Sequence, residues 1–287
     1  MRSLIIVCLL AVSHPALADD TASRLAAIKT MFDAQTKSFQ TLDDEAFKAT
    51  LTSDALVAFG SNYPRDDYGS WNLVRAQKVV IVASKSGWAG TWGWIAAELR
   101  ITYTWYAEPE GAGDPHPKPE THTYRFVALV VPDGAGVKAK VLRMAQTTPD
   151  KELSASNHAQ DLLPIASPPA NVALLAQPNA IVALLAKDPA TSVLGTSDAE
   201  RGFGAAAAKR LVARWSKLTL EVVDTPDEHE KLSYKPVELT VGEGAIAWAK
   251  LRMKLPGKPT WYPIDAFGVF RKVGDHSEIV ALMYTAH

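Results

Sequence analysis

The feature that most constrains this chain is that it states one pattern twice. Near residue 51 it reads LTSDALVAFGSNYPRDDYG, and near residue 185 LAKDPATSVLGTSDAERGFG. Each has a Leu three residues before an Asp (Leu51 and Asp54; Leu185 and Asp188). A β-prone stretch then runs to a Gly (Gly60; Gly195), and nine residues later a second Gly (Gly69; Gly204) opens an expected helix. Further on, GWIAAELRI from Gly93 matches GAIAWAKLRM from Gly244. Both copies close on two strands, TYRFVALVVPDGAGVKAKVLRMAQT and AFGVFRKVGDHSEIVALMYT. Four landmarks in one order describe a duplicated unit.

Residues 1–18 read as a cleavable secretory signal. Arg2 supplies the positive end, Ser3 to Val12 the apolar run, and Ala16-Leu17-Ala18 a small-x-small processing site. The run is too short to span a membrane, which takes about 20 apolar residues. The expected location is therefore periplasmic or extracellular. Processing would remove Cys8, the only cysteine, and with it thiol and disulfide chemistry. It would leave 29 basic against 31 acidic residues, with no basic stripe for nucleic acid and no cationic amphipathic helix for a membrane surface.

The expected domains are 19–148 and 170–287. The linker is 149–169, where prolines at 149, 164, 168 and 169 disfavour helix interior and central strand; KELSASNHAQDLL within it has a short helical pattern. In the first copy, Leu25, Ile28, Met31, Phe32 and Phe39 mark one face of a helix. Asp43-Asp44-Glu45 acidifies the start of a second, where negative charge suits the helix dipole. A strand at 55–59, a helix after Gly69 and strands to Met144 follow. The second copy repeats the order, with helices in NAIVALLAK and AAAAKRLVARW around the strand TSVL, then five strands. Helices followed by a run of antiparallel strands make an α+β fold, helices packed on one face of a curved sheet.

VLGTSDAERGFGAAAAKRLVARW, GAIAWAKLRM and the closing hairpin resemble the SnoaL-like branch of the nuclear transport factor 2-like superfamily, over about residues 175–287. Gly195, Thr196, Glu200 and Gly204 carry the resemblance; the first copy is similar but degenerate, with Gly60-Ser61 and no counterpart of Glu200. From Gly69 to Gly93 is 24 residues, against 40 from Gly204 to Gly244, so the first sheet is expected to be abbreviated or differently filled. The resemblance implies two cone-shaped domains, each a strongly bent antiparallel sheet around N-terminal helices. It also implies that tandem cones pair with each other within one chain. Members of the family include isomerases, dehydratases, cyclases and hydrolases, but also non-enzymatic modules, and a fold does not choose among them.

For acid–base work, Asp265 before AFGVF is the one candidate general base; strand parity alone leaves its direction open. Asp54 and Asp188 read as turn or cap residues, and Glu200 as part of a helix start. Aromatic residues are the remaining signal. Trp94, Tyr103, Trp105, Tyr124, Trp248 and Tyr262 are candidate walls for a small apolar or aromatic ligand, and equally candidates for core or domain interface. His116 and His122 bracket HPKPETH, an expected solvated hairpin tip. No metal-ligand spacing, phosphate-binding glycine loop or nucleophile motif occurs, so no metal and no cofactor is expected. The expectation is thus a non-catalytic module binding a small ligand or a protein. The alternative is an isomerase, dehydratase or hydrolase working in the second cone.

Overall fold

The computed structural model describes residues 15–59, 74–105, 119–147, 162–227, 232–234 and 236–286. Most of the signal segment, Gly60, Ser61, Gly69, His116 and the helical pattern at 151–161 lie outside the described residues.

Two α+β domains follow one another, each a curved sheet with its helices on the inner face. In the first, α1 (Pro15–Thr41) buries Ile28, Met31, Phe32 and Phe39 along one stripe, the face that the apolar spacing marks. Removal of residues 1–18 would take about its first turn and leave that stripe whole. Asp43 caps α2 (Asp44–Lys48), its carboxylate accepting the Ala46 N–H at 2.9 Å. Five strands follow: β1 (Leu51–Phe59), β2 (Val74–Ala89), β3 (Trp92–Trp105), β4 (Glu120–Asp133) and β5 (Gly136–Gln146). Their order in the sheet is β1-β5-β4-β3-β2.

The second domain begins with β6 (Leu163–Pro164), α3 (Ala170–Leu175), α4 (Pro178–Leu184), β7 (Ser192–Leu194), β8 (Arg201–Phe203) and α5 (Ala205–Arg214). Gly204, at φ 86°, makes the turn into α5. Then come β9 (Thr219–Asp227), β10 (Leu232–Tyr234), β11 (Val237–Val241), β12 (Gly244–Lys254), β13 (Trp261–Val273) and β14 (His276–Ala286). The strand order is β10-β9-β12-β13-β14-β7-β8, with β11 alongside β12 and β6 on β9. Part of the expected linker is thus an edge strand, Leu163 facing Asp224.

Both sheets are antiparallel except at one joint. The strand that follows the N-terminal helices of each domain runs parallel to its last, β1 to β5 and β7 to β14. The register makes the duplication concrete. Leu51 faces Ala139 and Leu185 faces Ile279, equivalent places on the closing strands. Both closing hairpins carry a bulge at the same place, between Leu129 and Val130 in one and between Val269 and Phe270 in the other. Both turn on a positive-φ glycine, Gly134 and Gly274.

Register also corrects the sequence matches. The β2–β3 hairpin closes on Ala89 opposite Trp92 around Gly90; the β11–β12 hairpin closes on Val241 opposite Gly244 around Gly242. Gly244 is therefore the counterpart of Trp92, one residue from the Gly93 that its sequence suggested. The expected helix after Gly69 is a strand from Val74 onward. Nor is that edge of the first sheet abbreviated: β2 alone pairs along β3 from Val74 to Ala89, where the second domain lays β9 and β11 end to end along β12.

Three cores result. One lies inside the first sheet around Phe32, Phe39, Leu99 and Phe126. A second lies inside the other sheet around Leu175, Trp215, Phe270 and Tyr284. The third joins the two sheets through their outer faces, and takes Trp92, Trp94 and Leu129 from one and Ile246, Trp248 and Phe267 from the other. Each such side chain contributes about 1.5–3 kcal/mol on burial, so this seam is a core in its own right.

Candidate functional site

The candidates divide among the seam, the inside of the first sheet and, for Tyr262, the inside of the second. On β13, Tyr262, Ile264, Ala266 and Phe270 pack inward, and Asp265 and Phe267 face the other domain. Asp265 is 1% exposed, and its Oδ2 accepts from Arg143 Nη2 on β5 at 2.7 Å. The Arg143 guanidinium also lies 5.0 Å from the centre of the Trp248 ring. Burial presses the Arg143 guanidinium below its usual ionisation range, and the charge and hydrogen bond of Asp265 oppose that. A carboxylate held this way anchors two domains. The candidate general base of the second cone is thereby corrected to an inter-domain ion pair.

A second charged group spans the seam. Arg125 Nη1 bonds Glu98, and its Nη2 donates to the carbonyl oxygens of Ser197 and Asp198 at 2.9 and 3.1 Å. Arg201 reaches Glu98 from the second domain, and Thr147 reaches Asp198 from the first. Trp94 and Trp248, offered above as ligand walls, are 0% and 3% exposed inside this seam, so they are packing residues.

The inner face of the first sheet carries the other cluster, where β3 ends, β4 begins and β5 ends. Tyr103 and Tyr124 hydrogen-bond each other, and both reach the first core. Tyr103 stacks on His122, ring centres 5.4 Å apart, and His122 Nδ1 lies 2.7 Å from Gln146 Nε2. Glu120 Oε2 is 3.1 Å from His122 Nε2. His122 is thus a member of β4, not of a solvated tip. Gln35 occupies the buried stripe of α1; it is fully enclosed, and neither amide atom has a hydrogen-bond partner among the described residues. Trp105 ends β3, and its side chain is outside the described residues. Away from this cluster, a groove of about 520 Å³ lies between α1 and the β4–β5 turn, with Asp133 and Lys138 ion-paired at its rim.

Aromatic side chains pack the described inner face of the second cone. Trp215 meets Tyr284 edge to face at 5.1 Å, and Tyr284 Oη donates to the Leu175 carbonyl at 2.6 Å. Tyr262 packs partly buried beside them. Glu200 stands in the β7–β8 connection rather than at a helix start. Its carboxylate accepts from Trp215 Nε1 at 2.9 Å and Thr196 Oγ1 at 3.1 Å. Asp188 caps the turn before β7 through the Ala190 N–H at 2.8 Å. Asp54 has a different setting: it lies within β1, bonded to Lys140, whose hydrogen bond holds its ionisation below the usual range.

Burial pushes the phenols of Tyr103, Tyr124 and Tyr284 above their ordinary value of 10.0. A raised folded-state value adds stability that is whole below about pH 10 and drains as pH climbs through the displaced range. An absorbance titration at 295 nm should show several of the eight tyrosines ionising late and together with unfolding. Ordinary, reversible ionisation of all eight near pH 10 would contradict the placement.

Sequence reasoning passed over Glu98, Arg125 and Arg143, yet a signal was there. Each interrupts an apolar stretch of its strand (AAELRI, RFVALVV, KVLRM), and charged residues are fully buried almost only when paired.

No protein-family model matches the chain, and no curated protein matches it. Solved structures similar to it include a Kribbella flavida protein called Kfla4162 (16% identity, TM-score 0.39, 44% of this chain and 93% of that one). Another is a ketosteroid isomerase-like protein from Erwinia carotovora atroseptica (15%, 0.35, 44% and 98%). A third is a Streptomyces avermitilis protein of the NTF2-like family (6%, 0.37, 44% and 99%). The likeness is one of fold, and no activity is carried across it.

Proposed function

We propose that the chain is an exported, non-catalytic binding module, its two cones locked back to back and its ligand site on the inner face of the first. The observation that carries this is the Tyr103–Tyr124–His122–Gln146 cluster. It combines aromatic faces with a few convergent polar tips, the composition of a small-molecule site. Two phenols whose ionisation is pushed upward donate hydrogen bonds at neutral pH; they do not act as bases. Gln35, with an amide unmatched inside the same core, supports a polar guest, since an unmet buried polar group costs about 1–3 kcal/mol. The ligand class is an uncharged, largely aromatic molecule bearing a carbonyl or hydroxyl. Export rests on residues 1–18, and a processed N-terminus at Asp19 in secreted protein tests it.

A panel of uncharged aromatic ketones and phenols tests the site by thermal shift. A ligand at 100 times its Kd adds about 2.7 kcal/mol, or roughly 5–10 °C in Tm for a domain of this size. The reading expects at least one such shift, lost in the Tyr103→Phe/Tyr124→Phe variant. A flat panel, or a shift that survives the double substitution, sinks it.

A further inference from the structure

The seam joins two copies of one unit, yet its partners are unlike at several equivalent positions. Counting along the matched hairpins, Trp92 corresponds to Gly244, Ala96 to Trp248 and Glu98 to Lys250. From the closing turns, Arg125 corresponds to Asp265 and Arg143 to Met283. A large side chain is thus matched by a small one, and a charge by its opposite or by none.

The contacts use these differences. Trp92 lies against its own counterpart: a Cβ on Gly244 would stand 2.5 Å from the indole. Arg143 meets Asp265, which occupies in the second domain the place Arg125 holds in the first. Two first domains set in this arrangement would therefore press Trp92 against Trp92 and bury Arg143 against Arg125. Two second domains would leave a void between paired Gly244 residues and set Asp265 against Met283 in place of the arginine that now donates to it. We infer that the seam is a built-in selector. It admits a first domain only against a second, so the face through which like cones would pair is closed to a second copy of this chain. Selection by misfit is the part attraction alone does not supply.

The intact chain tests this, because single substitutions recreate the forbidden pairings inside it. Asp265→Arg places arginine against Arg143, as in a first–first pair. Its Tm should fall by about 10 °C or more, the order expected when a buried pair becomes a buried repulsion. Arg143→Asp/Asp265→Arg restores opposite charges and should recover at least half of that loss, with the chain remaining a monomer in native mass spectrometry. A Tm for Asp265→Arg within about 2 °C of the parent overturns the inference, as would a reversed pair no better than the single variant. Gly244→Trp, which recreates the Trp–Trp clash, should destabilise, and Trp92→Gly in the same chain should relieve it; additive losses would again overturn it.

Discussion

Replacing Arg143 with alanine is expected to cost about 3–5 kcal/mol of unfolding free energy, the usual effect of stranding one member of a buried ion pair. In domains of this size that lowers Tm by roughly 6–20 °C. The reason lies in what remains: Asp265 stays 1% exposed on the second domain, its guanidinium gone and the Trp248 ring no longer covered. Asp265→Ala should cost a similar amount by stranding Arg143, whose ionisation burial already opposes. Apolar replacement of both, as Arg143→Met/Asp265→Leu, should return much of the loss, because neither charge is then left uncompensated. Asp54→Ala, which removes an exposed pairing with Lys140, should leave Tm almost unmoved. Urea unfolding followed by circular dichroism checks the series. A loss for Arg143→Ala no larger than for Asp54→Ala would place the pair outside the energetics of the fold.

Trp92→Ala should be about as damaging, for a different reason. The indole is 0% exposed and lies against the Gly244 backbone, while its Nε1 has no hydrogen-bond partner among the described residues. Its contribution is therefore packing, and truncating a buried Trp costs about 3–5 kcal/mol. Gly244→Ala attacks the same contact from the other side. The Cβ would stand 2.5 Å from the ring, and overpacking of that kind costs about 1–3 kcal/mol. The midpoint of denaturation should drop in both with an unchanged slope, since the folded state keeps its extent. If Trp92→Ala is tolerated within about 0.5 kcal/mol, the range of an ordinary surface substitution, the seam is not a core.

The duplication and the α+β class were legible because turns and helix faces leave local marks. Gly90, Gly134, Gly242 and Gly274 sit at positive φ in matching turns, and the α1 stripe follows helical spacing. The site was less so. Strands such as WGWIAAEL and RFVALVV are buried on both faces, so they lack the alternation that tells inside from outside. That is why the direction of Asp265 could not be read, and why Trp94 and Trp248 looked as much like pocket walls as like packing. The one-residue slip at Gly93 has the same origin: glycine drew the match, and only the hairpin closure sets the register. The helix expected after Gly69 failed because β2 carries the run VVIV, whose β-branched residues favour a strand once β3 is there to pair with.

The central claim is that the two domains are one cooperative body through a shared core, and calorimetry of a chain starting at Asp19 tests it most directly. Inter-domain interfaces inside a chain commonly let domains unfold separately unless they are large and apolar. With Trp92, Trp94, Trp248 and Phe267 buried between the sheets and Arg143 paired to Asp265, a single transition is predicted, its calorimetric enthalpy equal to its van't Hoff enthalpy. Two resolved transitions, with Trp92→Ala shifting one and leaving the other in place, would contradict it.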